Sequence, residues 1–273
     1  MHGTKESYAL AQNRVITTAD LSDEFLNSVA ITTLEFCMPL YWHDRTLGWP
    51  KPVTGASCFT LKFSNKLVVV TAAHVFRTFE KRLRKNPRLV CQIRLLPFDL
   101  KKRLIDIDDD LDIVSFELLE QELPGFAVDC RSQWPPPHPE CGRGLSLAGF
   151  PELMREVYSD GSGLFQAYGA LPAVEAISDR QIITTYDPTR DQPLMAGVPA
   201  PPVGFNMSGC SGGLVLLPEI ADDRCRVHAV GLIGHGSRHN EGHLTDSIFG
   251  GETDTIFIRR IHCITPDGTL DRR

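Results

Sequence analysis

What most constrains this chain is a succession of short β-rich runs cut off from one another by Gly, Pro, Asn and Asp. They fall at residues 30–36, 56–63, 67–71, 89–96, 113–118, 145–148, 164–168, 181–186, 213–217, 227–233 and 255–258. A doubly wound sheet needs helices alternating with its strands; runs this short with turn signals between them predict an all-β sandwich or barrel instead. The stretch Trp134-Pro-Pro-Pro-His-Pro splits the runs into two halves and reads as a connector, so two barrels are expected rather than one. Residues 1–30 are polar and mixed, an N-terminal arm with room for a short helix near residue 20; residues 31–133 then form the first barrel and 134–273 the second. At 273 residues the chain can bury cores of that size, since a domain takes about 150 residues.

Composition removes several functions. With 28 Lys and Arg against 34 Asp and Glu, the net charge is −6, and 42% of the residues are hydrophobic. That balance belongs to a folded chain and offers no electrostatic footing for nucleic acid. The longest apolar runs, 67–70 and 214–217, are strand-sized and far below the ~20 residues that span a bilayer, so no membrane partner is expected. The N-terminus has no continuous apolar stretch of the secretory kind, which predicts a cytoplasmic location. Eight cysteines lie at 37, 58, 91, 130, 141, 210, 225 and 263 with no C-x-x-C pair, which gives no zinc knuckle and no thioredoxin motif. His235, His239 and His243 are four apart, a ligand spacing on a helix, but the glycines of GHGSRHNEGH make this a loop. No metal and no cofactor are expected.

Three segments can carry chemistry. Ser211 stands in Asn206-Met-Ser-Gly-Cys-Ser-Gly-Gly-Leu-Val-Leu, with glycines close on both sides and an apolar strand after it. A nucleophilic serine needs that setting: small neighbours admit a substrate carbonyl, and the backbone N–H groups of Gly209 and Ser211 can converge on the developing oxyanion. Alone the pattern is weak, because G-x-S-x-G occurs by chance and Gly/Ser-rich turns are mostly just turns. His74 follows Val68-Val-Val-Thr-Ala-Ala, an apolar run ending in small residues. An isolated histidine there is better explained by the edge of a core than by catalysis. Asp112 opens the alternating run Asp112-Ile-Val-Ser-Phe-Glu-Leu, where a carboxylate can take the Nδ1–H of an imidazole. Its neighbours Asp108, Asp109 and Asp110 read as a solvated acidic turn. The basic runs at 81–85 and 101–103 read as solvated faces.

Together the segments weigh more, because base, acid and nucleophile come in the order His74, Asp112, Ser211. With TAAH, DIV and GCSGG the sequence resembles the chymotrypsin/trypsin-like serine proteases from residue 30 onward. The resemblance implies two six-stranded antiparallel β-barrels with the active site in the crevice between them. It makes His74 the base, Asp112 the acid that orients it, Ser211 the nucleophile, and the N–H groups of Gly209 and Ser211 the oxyanion hole. An α/β-hydrolase would place G-x-S-x-G ahead of both acid and histidine. The departures matter too. Val75 stands where digestive relatives carry a cysteine bonded to the counterpart of Cys58, and Met207 occupies another cysteine position, so free thiols are expected, as in a reducing cytosol. Cys210 replaces the aspartate that those enzymes pair with a newly cut N-terminus, so activation of that kind is not expected, and the chain is closer to bacterial stand-alone trypsin-like peptidases.

The same resemblance puts Phe205 at the base of the primary specificity pocket, Asn206 and Ser208 beside it, and Gly234, His235 and Gly236 along its wall. An uncharged aromatic base favours small or medium uncharged residues before the scissile bond. Glu252 or Asp254 could restore a preference for basic ones. The Pro/Gly-rich segment 188–205 excludes regular structure and is expected to border the cleft as a lid or switch, with an idle surface insertion as the alternative. The expected function is a serine endopeptidase acting on protein or peptide substrates, restrained by narrow specificity, by latency, or by an activating or inhibitory protein partner. The alternative from another class is a catalytically silent, protease-like binding or scaffold module.

Overall fold

The computed structural model describes residues 22–44, 46, 53–157, 163–186, 207–221, 224–236 and 254–272. The chain is mainly β, as its short runs predict. One sheet contains β1 (Cys37–Asp44), β2 (Thr54–Lys62), β3 (Leu67–Thr71), β4 (Leu89–Ile93), β5 (Leu96–Pro97), β6 (Leu104–Asp108), β7 (Ile113–Leu118) and β8 (Val128–Asp129). Its order is β5-β4-β1-β2-β3-β7-β6, with β8 added in parallel to β2. A hairpin follows of β10 (Arg155–Val157) and β11 (Gly163–Phe165). The other sheet contains β9 (Ser146–Gly149), β12 (Tyr168–Ala170), β13 (Ala176–Ile177), β14 (Gln181–Tyr186), β15 (Leu214–Ala221), β16 (Arg224–Gly236) and β17 (Asp254–Arg260), in the order β12-β9-β15-β16-β17-β14-β13. The sheets thus hold eight and seven strands where six each are expected, because the short β5 and β13 extend the ends of their sheets and β8 adds to β2.

The sheets share an interior. Strand period two turns successive side chains to opposite faces, and β15 uses both: Leu214 and Leu216 join the larger core beneath the first sheet, Val215 and Leu217 the smaller core of the second. The first core is aromatic at its centre, with Phe116 edge-on to Phe76 at 5.6 Å and to Phe98 at 6.1 Å. The tail also returns to the first sheet. Arg272 pairs with Asp106 at 2.7 Å and Asp108 at 2.9 Å, and Ser115 Oγ donates to the Gly268 carbonyl at 2.6 Å.

One expected strand is a helix. Residues 30–36 belong to α1 (Asp23–Phe36), whose β-branched Val-Ala-Ile-Thr-Thr segment looks like a strand in sequence. The Ser22 side chain caps it by accepting the Phe25 N–H, and the Thr32 and Thr33 hydroxyls return to carbonyls four residues back. The Thr33 hydroxyl also meets Ser146 Oγ at 2.6 Å, fastening α1 to β9 of the second sheet. Tertiary packing overrides local propensity here. A second helix, α2 (Ala73–Lys85), starts directly after β3 and buries Val75, Phe76 and Phe79. Among the described residues no helix is long and apolar enough to cross a membrane.

Candidate active site

His74 is the second residue of α2, and it is fixed by a residue of the β6–β7 turn. Asp112 Oδ1 accepts both the backbone N–H and the Nδ1–H of His74 at 3.0 Å, and Oδ2 lies 3.0 Å from the same ring nitrogen. Helix α2 has no side-chain cap of its own at Ala72, so the carboxylate serves as a remote cap, where the positive end of the helix favours it. The imidazole orientation and the helix start therefore depend on one side chain. Asp112 is buried and holds φ 55, a left-handed conformation uncommon outside glycine. Strain of that kind persists only where the surroundings impose it, and it concentrates at functional sites.

The acidic turn before it is more than a solvated bend. Asp108 Oδ1 accepts the N–H groups of Asp110 and Leu111 at 2.9 and 2.8 Å, which shapes the turn, while its other oxygen receives Arg272. Asp109 holds Arg77 through two bonds of 3.0 and 2.8 Å. Arg77 sits one turn after His74 on α2, so this pair braces the two elements that carry His74 and Asp112.

Ser211 belongs to the other half of the molecule and is tied across the interface by its backbone. Its carbonyl accepts the N–H of Ser57 on β2 at 2.9 Å, and the next N–H, from Gly212, donates to Ile233 at 2.7 Å. Gly212 has φ 81, and a Cβ there would overlap Thr71 Oγ1 and the Ser57 carbonyl. Thr71 closes β3, three residues before His74, so the Ser211 turn presses on the strand end that leads to His74. The Ser211 hydroxyl lies 3.5 Å from the Gly234 carbonyl. Fully buried Ser57 joins the parts: its Oγ donates to the Gly209 carbonyl at 3.0 Å and accepts the Phe150 N–H at 2.9 Å, and its carbonyl accepts Thr71 Oγ1 at 2.7 Å. Sequence reasoning missed Ser57 and Thr71; the Thr of TAAH was the only signal available for either.

The expected oxyanion donors sit in a defined turn. Gly209 has φ 91, and among the described residues neither its N–H nor that of Ser211 has a hydrogen-bond partner. The Ser208 carbonyl accepts the Glu152 N–H at 2.7 Å. Because the amide is trans, this turns the Gly209 N–H to the opposite side. Of the pocket residues, Ser208 is exposed and Gly234 packs against β17, where a Cβ would meet the Phe257 carbonyl at 3.0 Å. Gly236 pairs with Ile256. Buried Ile233, Ile256 and Ile258 stand in these paired strands. Phe205, Asn206, Glu252, the 188–205 segment, His239 and His243 lie outside the described residues, as do the side chains of His235 and Asp254. Among the described residues, no three His, Cys, Asp or Glu side chains gather as a metal site would require.

Cys37, Cys58, Cys91, Cys130, Cys141, Cys210 and Cys263 are all free thiols, and of these Cys141 is exposed. Burial pushes Cys37 and Cys130 up to about 12 and Cys263 to about 11, and raises Cys58, Cys91 and Cys210 further. Thiolate is the reactive form, so alkylation of the native protein should label Cys141 quickly and leave the six buried thiols untouched. In denaturant without reductant all of them should react. Fewer than about half reacting would contradict the free-thiol assignment that burial and spacing support.

No family model matches the chain, and no curated protein matches it. Among solved structures it is similar to a thermostable serine protease, AL20, from an extremophilic microorganism, with 11% identity and a TM-score of 0.41 over 86% of this chain and 92% of that one.

Proposed function

We propose that the chain is a serine endopeptidase that hydrolyses peptide bonds of protein substrates through an acyl-enzyme. The observation that carries this reading is the Asp112–His74 pair: both carboxylate oxygens lie 3.0 Å from Nδ1. That contact keeps the proton on Nδ1 and leaves Nε2 as the base. Ser211 then attacks the scissile carbonyl as its proton passes to Nε2. The oxyanion collects on the N–H groups of Gly209 and Ser211, and the imidazolium returns the proton to the leaving amine. Water repeats the sequence in reverse to free the acid. Before attack the Ser211 hydroxyl must turn from the Gly234 carbonyl, a rotation about a single χ1 bond.

That resting contact also favours a second reading, a protease-like module that binds without turnover. A fluorophosphonate probe separates the two: labelling that disappears in Ser211→Ala supports the enzyme, and no labelling of folded protein supports the silent module. For specificity, an uncharged aromatic at the pocket base, Phe205, favours small or medium uncharged residues. A peptide-library profile should therefore favour small or medium uncharged residues before the cut bond. A profile dominated by Arg or Lys would overturn this, and Asp254→Asn or Glu252→Gln would then identify the carboxylate responsible.

A further inference from the structure

The side chain of Arg155, at the start of β10, lies directly against the turn that holds the nucleophile. A Cβ on Gly209 would come within 2.5 Å of Arg155 Nη2, 2.8 Å of the Glu152 nitrogen and 2.8 Å of the Phe150 carbonyl. The same Nη2 donates to the Phe150 carbonyl at 2.9 Å. Among the described residues, Nε and Nη1 are buried with no hydrogen-bond partner. A guanidinium with two buried, unpartnered nitrogens, three N–H groups between them, is unfavourable for folding. Its retention calls for a task in which the charge itself is used.

The geometry supplies that task. The direction of the Gly209 N–H is set by the 208–209 peptide, and the Glu152 N–H holds that peptide through the Ser208 carbonyl at 2.7 Å. A flip of this peptide would turn the Ser208 carbonyl into the oxyanion hole and close it. The anchoring segment 150–152 is itself held at two points: the Phe150 N–H on Ser57 Oγ, and the Phe150 carbonyl on Arg155. Arg155 thus braces the segment that keeps the hole open, and it does so from beneath Gly209. Burial also lowers its readiness to hold a proton, yet it stays charged at any working pH. Poorly screened by water, that positive charge favours negative charge developing on the carbonyl oxygen at the Gly209 N–H.

We propose that Arg155 is the positioning residue of the oxyanion hole, holding the 208–209 peptide in its open orientation and lending the hole its positive potential. This rests on the proteolytic reading of Ser211. It assigns to a hairpin on β10 a task that neither the triad motifs nor the glycines of the serine turn perform.

The test is the second-order rate of fluorophosphonate labelling of Ser211, with turnover of a library-selected peptide, in wild type, Arg155→Met, Arg155→Gln and Arg155→Lys. Deleting a direct oxyanion donor costs on the order of 10²- to 10³-fold, so removing its support should slow labelling about 10- to 100-fold. The neutral variants should lose kcat with little change in KM. Arg155→Lys, which keeps the charge and a donor, should recover most of the rate. Purely structural damage would instead give equal losses in all three variants, tracking their melting temperatures, and would overturn the proposal. So would labelling of a neutral variant within twofold of wild type; if Arg155→Met does not fold, Arg155→Gln decides. Absence of labelling in folded wild type would bring down the proteolytic reading and this inference together, whereas normal wild-type labelling with an indifferent Arg155 would bring down this inference alone.

Discussion

Ser211→Ala and His74→Ala are each expected to reduce turnover by about 10⁴- to 10⁶-fold, because groups that act as one unit fail together. Both proteins should fold. The structural ties of Ser211 run through its backbone, with its carbonyl on Ser57 at 2.9 Å, while among the described residues its hydroxyl makes the 3.5 Å contact to Gly234. Alanine at 74 keeps the backbone N–H that Asp112 caps and loses the ring alone. Asp112→Asn is the more discriminating change. The amide oxygen can still accept the His74 backbone N–H, so α2 keeps its start. The amide NH₂, however, faces Nδ1 and needs it unprotonated, which moves the proton to Nε2 and blocks the base; about 10⁴-fold should be lost. Exposed Asp110 is the control, and Asp110→Asn should act like wild type. Near-normal turnover in Asp112→Asn with loss in Asp110→Asn would show that the acid has been assigned to the wrong carboxylate.

The legible parts of the fold are those whose signal is local. The runs at 67–71, 113–118 and 181–186 are strands with those same bounds, since apolar or alternating residues between turn signals have no other good solution. β1 left no such signal, because Pro39 interrupts it and proline argues against a central strand. The structure accommodates Pro39 where β4 ends: its carbonyl accepts the Arg94 N–H at 3.1 Å, and Arg94, at φ 53, turns the chain away, so the missing donor faces no ladder partner. α1 was hidden for the opposite reason, since its β-branched residues point to a strand and only the second sheet makes them a helix. The candidate site divides the same way. His74, Asp112 and Ser211 sit in short stretches whose small or acidic neighbours already suit their roles. Ser57 and Thr71 work through partners that are 14 to 152 positions away in the chain, and Arg155 meets the serine turn only at the face of Gly209. No window along the sequence contains both members of those contacts.

That dependence on long-range fit sets the second large effect. Gly212→Ala should destabilise the protein by about 2–5 kcal/mol, the sum of left-handed backbone strain and overpacking. Gly212 has φ 81, and its new methyl would overlap Thr71 Oγ1 and the Ser57 carbonyl, neither of which can swing aside. Thr71 is fully buried on β3, and the Ser57 carbonyl is already held by the Thr71 hydroxyl. Strain and clash can be told apart, because Gly125 and Gly142 have φ values of 83 and 81, and a methyl added at either would have nothing within 4 Å. Gly125→Ala and Gly142→Ala should cost only about 1 kcal/mol each, the strain alone. Thermal unfolding should place Gly212→Ala on the order of 10 °C below wild type, and the two controls a few degrees below it at most. Activity should fall further than stability does. To relieve the overlap the serine turn must retreat from β3, and with it Ser211 from the histidine that β3 delivers. Misplacement by about 1 Å is worth on the order of 10²-fold in rate, so the folded fraction of Gly212→Ala should label with fluorophosphonate about 100-fold more slowly. A Gly212→Ala protein as stable and as reactive as Gly142→Ala would mean that the serine turn does not bear on Thr71.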